Sequence, residues 1–273
     1  MKFSTLMSIY KKEDPVFLQD ALSSIWNDQL LKPSEIILVE DGELTSELYQ
    51  VLDAWSKSLP NILKRITLQE NVGLGNALNE GFKHCSHEWV FRMDTDDICT
   101  PERFEKQIEF IKNHPDVDIF SSQIIEFDSD VEDITGTKKV PLSHNDILKF
   151  VQWRSPFNHM AVAYKKSVIE DVGGYQHHQL MEDYNLWLRV LASGYKSANL
   201  KEALVLVRAG EAMVKRRRGW VYMKSEWQLF KLKQELNFQP IIPAFFIFLV
   251  RFSPRILPSS VLVKIYARLR AAK

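Results

Sequence analysis

Short apolar runs alternate with segments of helical spacing over the first 127 residues, and this alternation restricts the fold more than any other feature. Phe3–Ile9 is a short apolar run. Phe17, Leu18, Ala21, Leu22, Ile25 and Trp26 then recur at helical spacing behind Pro15, a good first-turn residue. Ile36–Val39 has the character of a buried strand and stops at Glu40-Asp41-Gly42. A helical segment follows over Leu44–Lys57, then a strand over Ile62–Leu68. Asn71–Cys85 reads as a loop feeding a helix, with Ala77, Leu78 and Phe82 on one face. Trp89–Met93 is the next strand, Pro101–Asn113 a helix and Val117–Phe127 another strand. Such a succession predicts an α/β fold, a mostly parallel central sheet flanked by helices. Further on, polar Asp128–Thr137 reads as a loop, Ala161–Tyr164 as a strand, and Glu182-Asp183-Tyr184 as the opening of a helix.

Sheets of this kind bind ligands beyond the carboxyl ends of their strands. Tyr10, Asp41 and Asp94–Asp97 all fall at such ends, so they are expected to converge. The run Asp94-Thr95-Asp96-Asp97 places three carboxylates within four residues. Crowded like charges are unfavourable unless a cation sits among them, and carboxylate sets of this kind suit Mg²⁺ or Mn²⁺ bridging to phosphates. A solvated acidic turn is the plainer alternative. Asp41, before Gly42, fits either a hydrogen bond to a base or ribose or an ordinary turn. Glu182 and Asp183 fit either the electrostatics of a helix N-terminus or a general base aimed at a hydroxyl.

Several function classes are disfavoured. Gly73-Leu74-Gly75 lacks the third glycine of the dinucleotide fingerprint and follows the third strand instead of the first. The seven histidines show no metalloprotease spacing, and neither a P-loop nor a nucleophile elbow is present. Cys85 and Cys99 have neither ligand spacing nor a disulfide framework, so a reducing cytoplasm is expected. Met1–Leu6 lacks the apolar core of a signal peptide.

The formal net charge of zero hides a division. Residues 1–200 carry 20 basic and 31 acidic side chains, whereas residues 201–273 carry 15 basic and 4 acidic. An anionic partner is expected at the basic end, and its aromatic, amphipathic stretch Pro240–Lys273 favours a membrane surface over nucleic acid. Its longest uncharged run is well short of the roughly 20 residues needed to span a bilayer.

The motifs, in order, resemble the family 2 glycosyltransferases with a GT-A fold. The resemblance rests on Leu22–Gln29 after the opening strand, Glu40-Asp41-Gly42, and Asn71-Val72-Gly73 with Ala77, Asn79 and Gly81. Asp94-Thr95-Asp96-Asp97 then corresponds to the DxD-type motif, and Glu182-Asp183-Tyr184 precedes Leu186-Trp187-Leu188-Arg189. Pro156–Met160 and Arg208…Trp220 are similar to enzymes that build bacterial O-antigen, capsule or exopolysaccharide units. The chain departs from the family at Ser8-Ile9-Tyr10-Lys11 and at Glu40, which replaces an aspartate.

The resemblance implies a GT-A catalytic domain over 1–208 and a basic amphipathic helical extension over 209–273. It implies an inverting, metal-dependent transfer from a UDP-sugar to a lipid-linked saccharide, with Asp183 as general base. Tyr10, Asp41, Asn71, Gly73 and Asp94 would hold the donor, and Asp96 with Asp94 would hold Mn²⁺ or Mg²⁺. Asp97, Glu182, His159 and Trp187 would be supporting or acceptor-side residues. Arg217 and Arg218 would meet the diphosphate, with anionic lipid as their competing ligand. The setting would be peripheral, on the inner face of the bacterial plasma membrane. The alternatives are a sugar-phosphate nucleotidyltransferase, disfavoured by the absence of glycine in Ser8–Asp14, and a non-catalytic nucleotide-sugar-binding assembly subunit.

Overall fold

The computed structural model describes residues 1–128, 130–208 and 219–253. The strands are β1 (Ser4–Ile9), β2 (Glu35–Glu40), β3 (Leu63–Thr67), β4 (Trp89–Arg92), β5 (Ile98–Cys99), β6 (Ile119–Phe127), β7 (Ile134–Lys138), β8 (Ala163–Lys165) and β9 (Ser197–Arg208). The helices in the first half are α1 (Pro15–Trp26), α2 (Ser46–Ser58), α3 (Leu74–Lys83) and α4 (Arg103–Asn113). They are followed by α5 (His144–Phe150), α6 (Lys166–Asp171), α7 (Glu182–Ala192), α8 (Gly219–Glu235) and α9 (Ile241–Phe252).

All the strands lie in one sheet of order β3-β2-β1-β4-β8-β6-β9-β5, with β7 paired to β6. The half β3-β2-β1-β4 is parallel, as the alternation of strands and helices requires. The other half is mixed, because the short β8 runs antiparallel to both β4 and β6. Helices cover both faces, and the side-chain period of two divides the core between them. Ile36 and Leu38 of β2 pack with α1 and α2, while Ile37 and Val39 pack with α3 and α7. Burial on both faces is why this strand reads as an unbroken apolar run.

Asp14 caps α1 by accepting the Val16 N–H at 2.8 Å, one residue before Pro15. Helix α3 lies unusually close to the sheet. A Cβ on Gly81 would sit 2.4 Å from Val39 Cγ2 and 2.7 Å from Leu6 Cδ1, so only glycine permits this approach.

One expectation fails here. Within Asp128–Thr137, expected as a loop, residues from Ile134 onward form the edge strand β7 on β6. Four of the five β7 residues are exposed, so it carries no buried apolar face to mark it in the sequence. Among the described residues no helix is long and apolar enough to cross a membrane.

Candidate active site

Three carboxyl ends of the parallel half build one rim of the site. Asp41 leaves β2 with its backbone N–H bound to Ile9 O at 2.7 Å, which holds it beside the end of β1 and Tyr10. Its carboxylate accepts hydrogen bonds from Val72 N–H at 2.7 Å, Gly73 N–H at 3.2 Å and Asn71 Nδ2 at 3.0 Å. Asp41 thus shapes the loop 71–73 that starts α3. Burial raises its pKa above the usual carboxylate value, although the two backbone donors pull the other way. Gly42 has φ +83°, and a Cβ there would come within 2.7 Å of Asn71 N, so the turn requires glycine. Glu40 is committed elsewhere, to an ion pair with Arg65 and a hydrogen bond from Thr67 Oγ1 at 3.1 Å.

Beyond β4, oxygens of Asp94, Asp96 and Asp97 lie within 4.8 Å of one another. Asp94 pairs with Arg92, a wholly buried strand residue whose guanidinium also reaches backbone carbonyls of Leu6 and Met93. Arg103, equally buried on α4, donates to Arg92 O at 2.6 Å and fixes that stretch of backbone from below. Asp97 is 2% exposed and accepts the Arg208 N–H at 3.0 Å, tying the cluster to the end of β9. Burial, then the charges of Asp96 and Asp94, hold its proton well above the usual carboxylate range. This is the behaviour of a donor set suited to a cation. The ligands are all hard oxygens, so Mg²⁺ or Mn²⁺ fits them and a soft metal does not.

The start of α7 also borders this end of the sheet. Asp183 and Glu182 occupy its first turn, partly buried. A Cβ on Gly75 would meet Glu182 Cγ at 3.3 Å, so the N-terminal ends of α3 and α7 touch. Burial raises the pKa of Glu182. His159 is close enough for the charges of both Asp94 and Asp183 to act on it. Its ring nitrogen Nε2 is 2.9 Å from the Tyr175 hydroxyl. Burial, reinforced by the cationic Arg92, lowers its pKa to about 4, so the imidazole is neutral at physiological pH. Trp187 is fully buried behind it, with ring centroids 6.2 Å apart, and therefore supports His159 without facing the cleft.

The structure thus brings the expected residues Tyr10, Asp41, Asn71, Gly73, Asp94, Asp96 and Asp97 to one end of the sheet, with Asp94 and Asp183 both acting on His159 through their charge. Arg217 and Arg218 fall outside the described residues. Sequence reasoning missed Arg92, Arg103 and Tyr175. Arg92 left one available signal, a lone cation within the apolar run Trp89–Met93. Asn79 proves to be the anchor of Tyr175: its Oδ1 accepts the Tyr175 N–H and its Nδ2 donates to Tyr175 O, both at 2.8 Å.

Comparison with known proteins agrees with this architecture. The family model "Glycosyl transferase family 2" matches residues 4–173. The amylovoran biosynthesis glycosyltransferase AmsE of Erwinia amylovora is 45% identical over 97% of this chain and 98% of its own length. An Escherichia coli UDP-Gal:alpha-D-GlcNAc-diphosphoundecaprenol beta-1,3-galactosyltransferase is 47% identical over 82% of this chain and 80% of its own. Among solved structures, S. aureus TarS 1-349 in complex with UDP-GlcNAc superposes with a TM-score of 0.67 at 19% identity, covering 93% of this chain and 72% of that one. The mannosyltransferase PcManGT from Pyrobaculum calidifontis, in complex with GDP-Man and Mn²⁺, gives 0.64 at 17% identity, covering 98% and 80%. The fold is that of the GT-A glycosyltransferases, and the chain belongs to glycosyl transferase family 2. Membership decides against a nucleotidyltransferase.

Proposed function

We propose that this family 2 glycosyltransferase transfers a sugar, with inversion, from a UDP-sugar to a hydroxyl of a lipid-linked saccharide in bacterial surface-polysaccharide synthesis. The observation that carries the reading is the Asp94–Asp96–Asp97 carboxylate cluster, with Asp94 and Asp183 both near enough to His159 for their charges to act on it. A donor with a diphosphate and an acceptor with a proton to lose need these two kinds of carboxylate in one site. The named substrates of the relatives point the same way: a UDP-galactose donor and a diphosphoundecaprenol-linked acceptor in the E. coli enzyme.

Asp96 and Asp94 would hold the divalent ion, with Asp97 supporting from beneath. When bound, Mg²⁺ or Mn²⁺ supplies Lewis-acid neutralisation of the charge that develops on the leaving diphosphate. Arg92 restricts Asp94 to one orientation, and Asp41 with Asn71 and Gly73 presents an ordered edge, beside Tyr10, to the nucleoside. Arg217 and Arg218 would meet the diphosphate, where guanidinium geometry suits phosphate, or anionic lipid. Asp183 takes the acceptor hydroxyl's proton as that oxygen bonds to the anomeric carbon. The bond from that carbon to the diphosphate breaks with its electron pair leaving on UDP, so a single displacement inverts the centre.

Residues 1–208 form the catalytic domain in this reading, and 209–273 the extension that keeps the enzyme peripheral on the inner membrane face. The test is a pair of substitutions. Asp183→Asn is expected to abolish transfer while leaving Mn²⁺-dependent UDP binding intact by calorimetry, whereas Asp96→Ala is expected to lose that binding. An active Asp183→Asn enzyme refutes the base assignment, and metal-independent activity in Asp96→Ala refutes the metal site.

A further inference from the structure

Helices α8 and α9 form a hairpin with two unlike faces. The inner face is ionic. Glu226 of α8, 2% exposed, accepts from Arg251 of α9 at 2.7 and 3.0 Å, and Arg251 also donates to the Trp153 carbonyl. Lys233, 3% exposed, donates to Gln152 O at 2.7 Å and to the Tyr184 hydroxyl at 3.0 Å. Tyr184 immediately follows Asp183, and its ring lies under both cations, 4.9 Å from Lys233 Nζ and 5.4 Å from the Arg251 guanidinium. A second tie joins the helices to the loop before α7: Ser225 Oγ donates to Gln179 O at 2.6 Å, and Ser225 O lies 2.8 Å from His178 Nε2. The hairpin is therefore latched to the helix that carries the proposed base.

The outer face is apolar and bare. Ile241, Ile242, Phe245, Phe246 and Leu249 fall on one stripe of α9, with Ile242 81% and Phe246 60% exposed. Trp220, at the start of α8, is 69% exposed. Packed aromatic rings join the two helices: Trp227, Phe230 and Phe248 lie with mutual centroid distances of 5.3 to 5.5 Å. An exposed face of this density marks an interaction surface.

The occupant is indicated by charge and length. From Leu236 to Lys273 the chain has six lysines and arginines and no acidic residue. A stretch of sequence that is both basic and aromatic suits an anionic headgroup layer over hydrocarbon, whereas a second copy would bring the same positive charge against itself. A helix of 12 residues spans about 18 Å, enough to lie in the interface and too little to cross it.

We propose that the α8–α9 hairpin docks on an anionic bilayer through Ile241, Ile242, Phe245, Phe246, Leu249 and Trp220, and that its ionic inner face holds the Asp183 helix at a set position above that surface. This deepens the proposed function and rests on it for the location of the acceptor. The surface itself is argued from the hairpin alone.

The test is flotation of the full chain with phosphatidylethanolamine–phosphatidylglycerol vesicles and with phosphatidylcholine vesicles, for the wild type and for Ile242→Glu/Phe246→Glu. The wild type is expected to float with the anionic vesicles only. The variant is expected to lose about tenfold or more in bound fraction, since two apolar contacts with hydrocarbon are replaced by charges. Both side chains are exposed, so melting temperature and Mn²⁺-dependent UDP binding should stay as in the wild type. A wild type that does not float, or a variant that floats equally well, overturns the proposal. So does a wild-type dimer that the substitutions split, which would assign the face to a second copy. Face-dependent flotation without any Mn²⁺-dependent UDP binding would leave the docking surface standing and remove the metal-dependent UDP-donor reading.

Discussion

Asp41→Asn isolates what a single buried carboxylate contributes to the nucleoside edge of the site. The carboxylate is 4% exposed and accepts three hydrogen bonds, two from backbone N–H groups of residues 72 and 73 and one from Asn71. Asparagine keeps the shape but replaces one oxygen with a donor. With its amide toward Gly73 and Asn71 it opposes two donors; flipped, it opposes Val72. Each buried donor facing a donor costs about 1–3 kcal/mol. Burial of the charge, which raises the pKa of Asp41, is relieved by the substitution and offsets part of this. The net loss expected is about 2 kcal/mol. For a chain of this size that is a fall of roughly 4–8 °C in melting temperature if the loop unfolds with the whole. If the loop opens separately, hydrogen exchange at the Val72 and Gly73 amides should accelerate roughly 30-fold with little change in melting temperature. UDP affinity should fall in either case. Unchanged exchange at both amides together with an unchanged melting temperature would refute the claim that Asp41 holds this loop.

Acid should act on the fold at two places in separate windows. Lys64, Ser4 and Ser86 overcome the burial penalty of Glu35, at the far end of the sheet, and lower its pKa from 4.5 to about 2. A depressed carboxylate stabilises above its unfolded value, so that contribution is present above about pH 4.5 and lost as pH falls towards 2. Allowing for the half-exposed Lys64, it amounts to about 2 kcal/mol, and Glu35→Gln should flatten this part of a pH–stability curve. His159 acts higher: the unfolded chain takes up a proton near pH 6.5 and the folded one only near 4, so stability falls as pH drops across that interval. His159→Asn should remove that slope, as measured by urea melts between pH 4 and 7. Gly81→Ala should destabilise by about 1–3 kcal/mol, because the added methyl overlaps Val39 and Leu6 across the α3–sheet contact. A melting temperature equal to the wild type's would show that α3 can lift off without cost.

What was legible in the sequence follows from how strongly each element is buried. Strand β2 is covered on both faces and helix α3 has a one-sided apolar stripe, so each carries its own period. Asp41, Asp94–Asp97 and Asp183 stood out because carboxylates where a buried strand ends or a helix begins are costly or poised, and either condition leaves a visible break in an apolar pattern. Strand β7 and the twelve-residue β9 were not legible in the same way. The first is an exposed edge, and the second joins half-exposed residues such as Glu202 to a core at Leu204 and Val205, because it changes neighbours along its length. Arg92 shows a different kind of loss. Its meaning depends on carbonyls of Leu6 and Met93 and on Arg103 beneath it, partners that only the closed sheet brings together. A lone arginine in an apolar run therefore flags a buried charge without naming its counterion. The three aspartates that follow are the place to look for it, and the pairing with Asp94 fixes which of them has the least freedom to turn toward a ligand. Asp96 and Asp94 are then the carboxylates a cation would draw on, Asp94 through the oxygen that Arg92 leaves, while the buried Asp97, held by the Arg208 N–H, supports them.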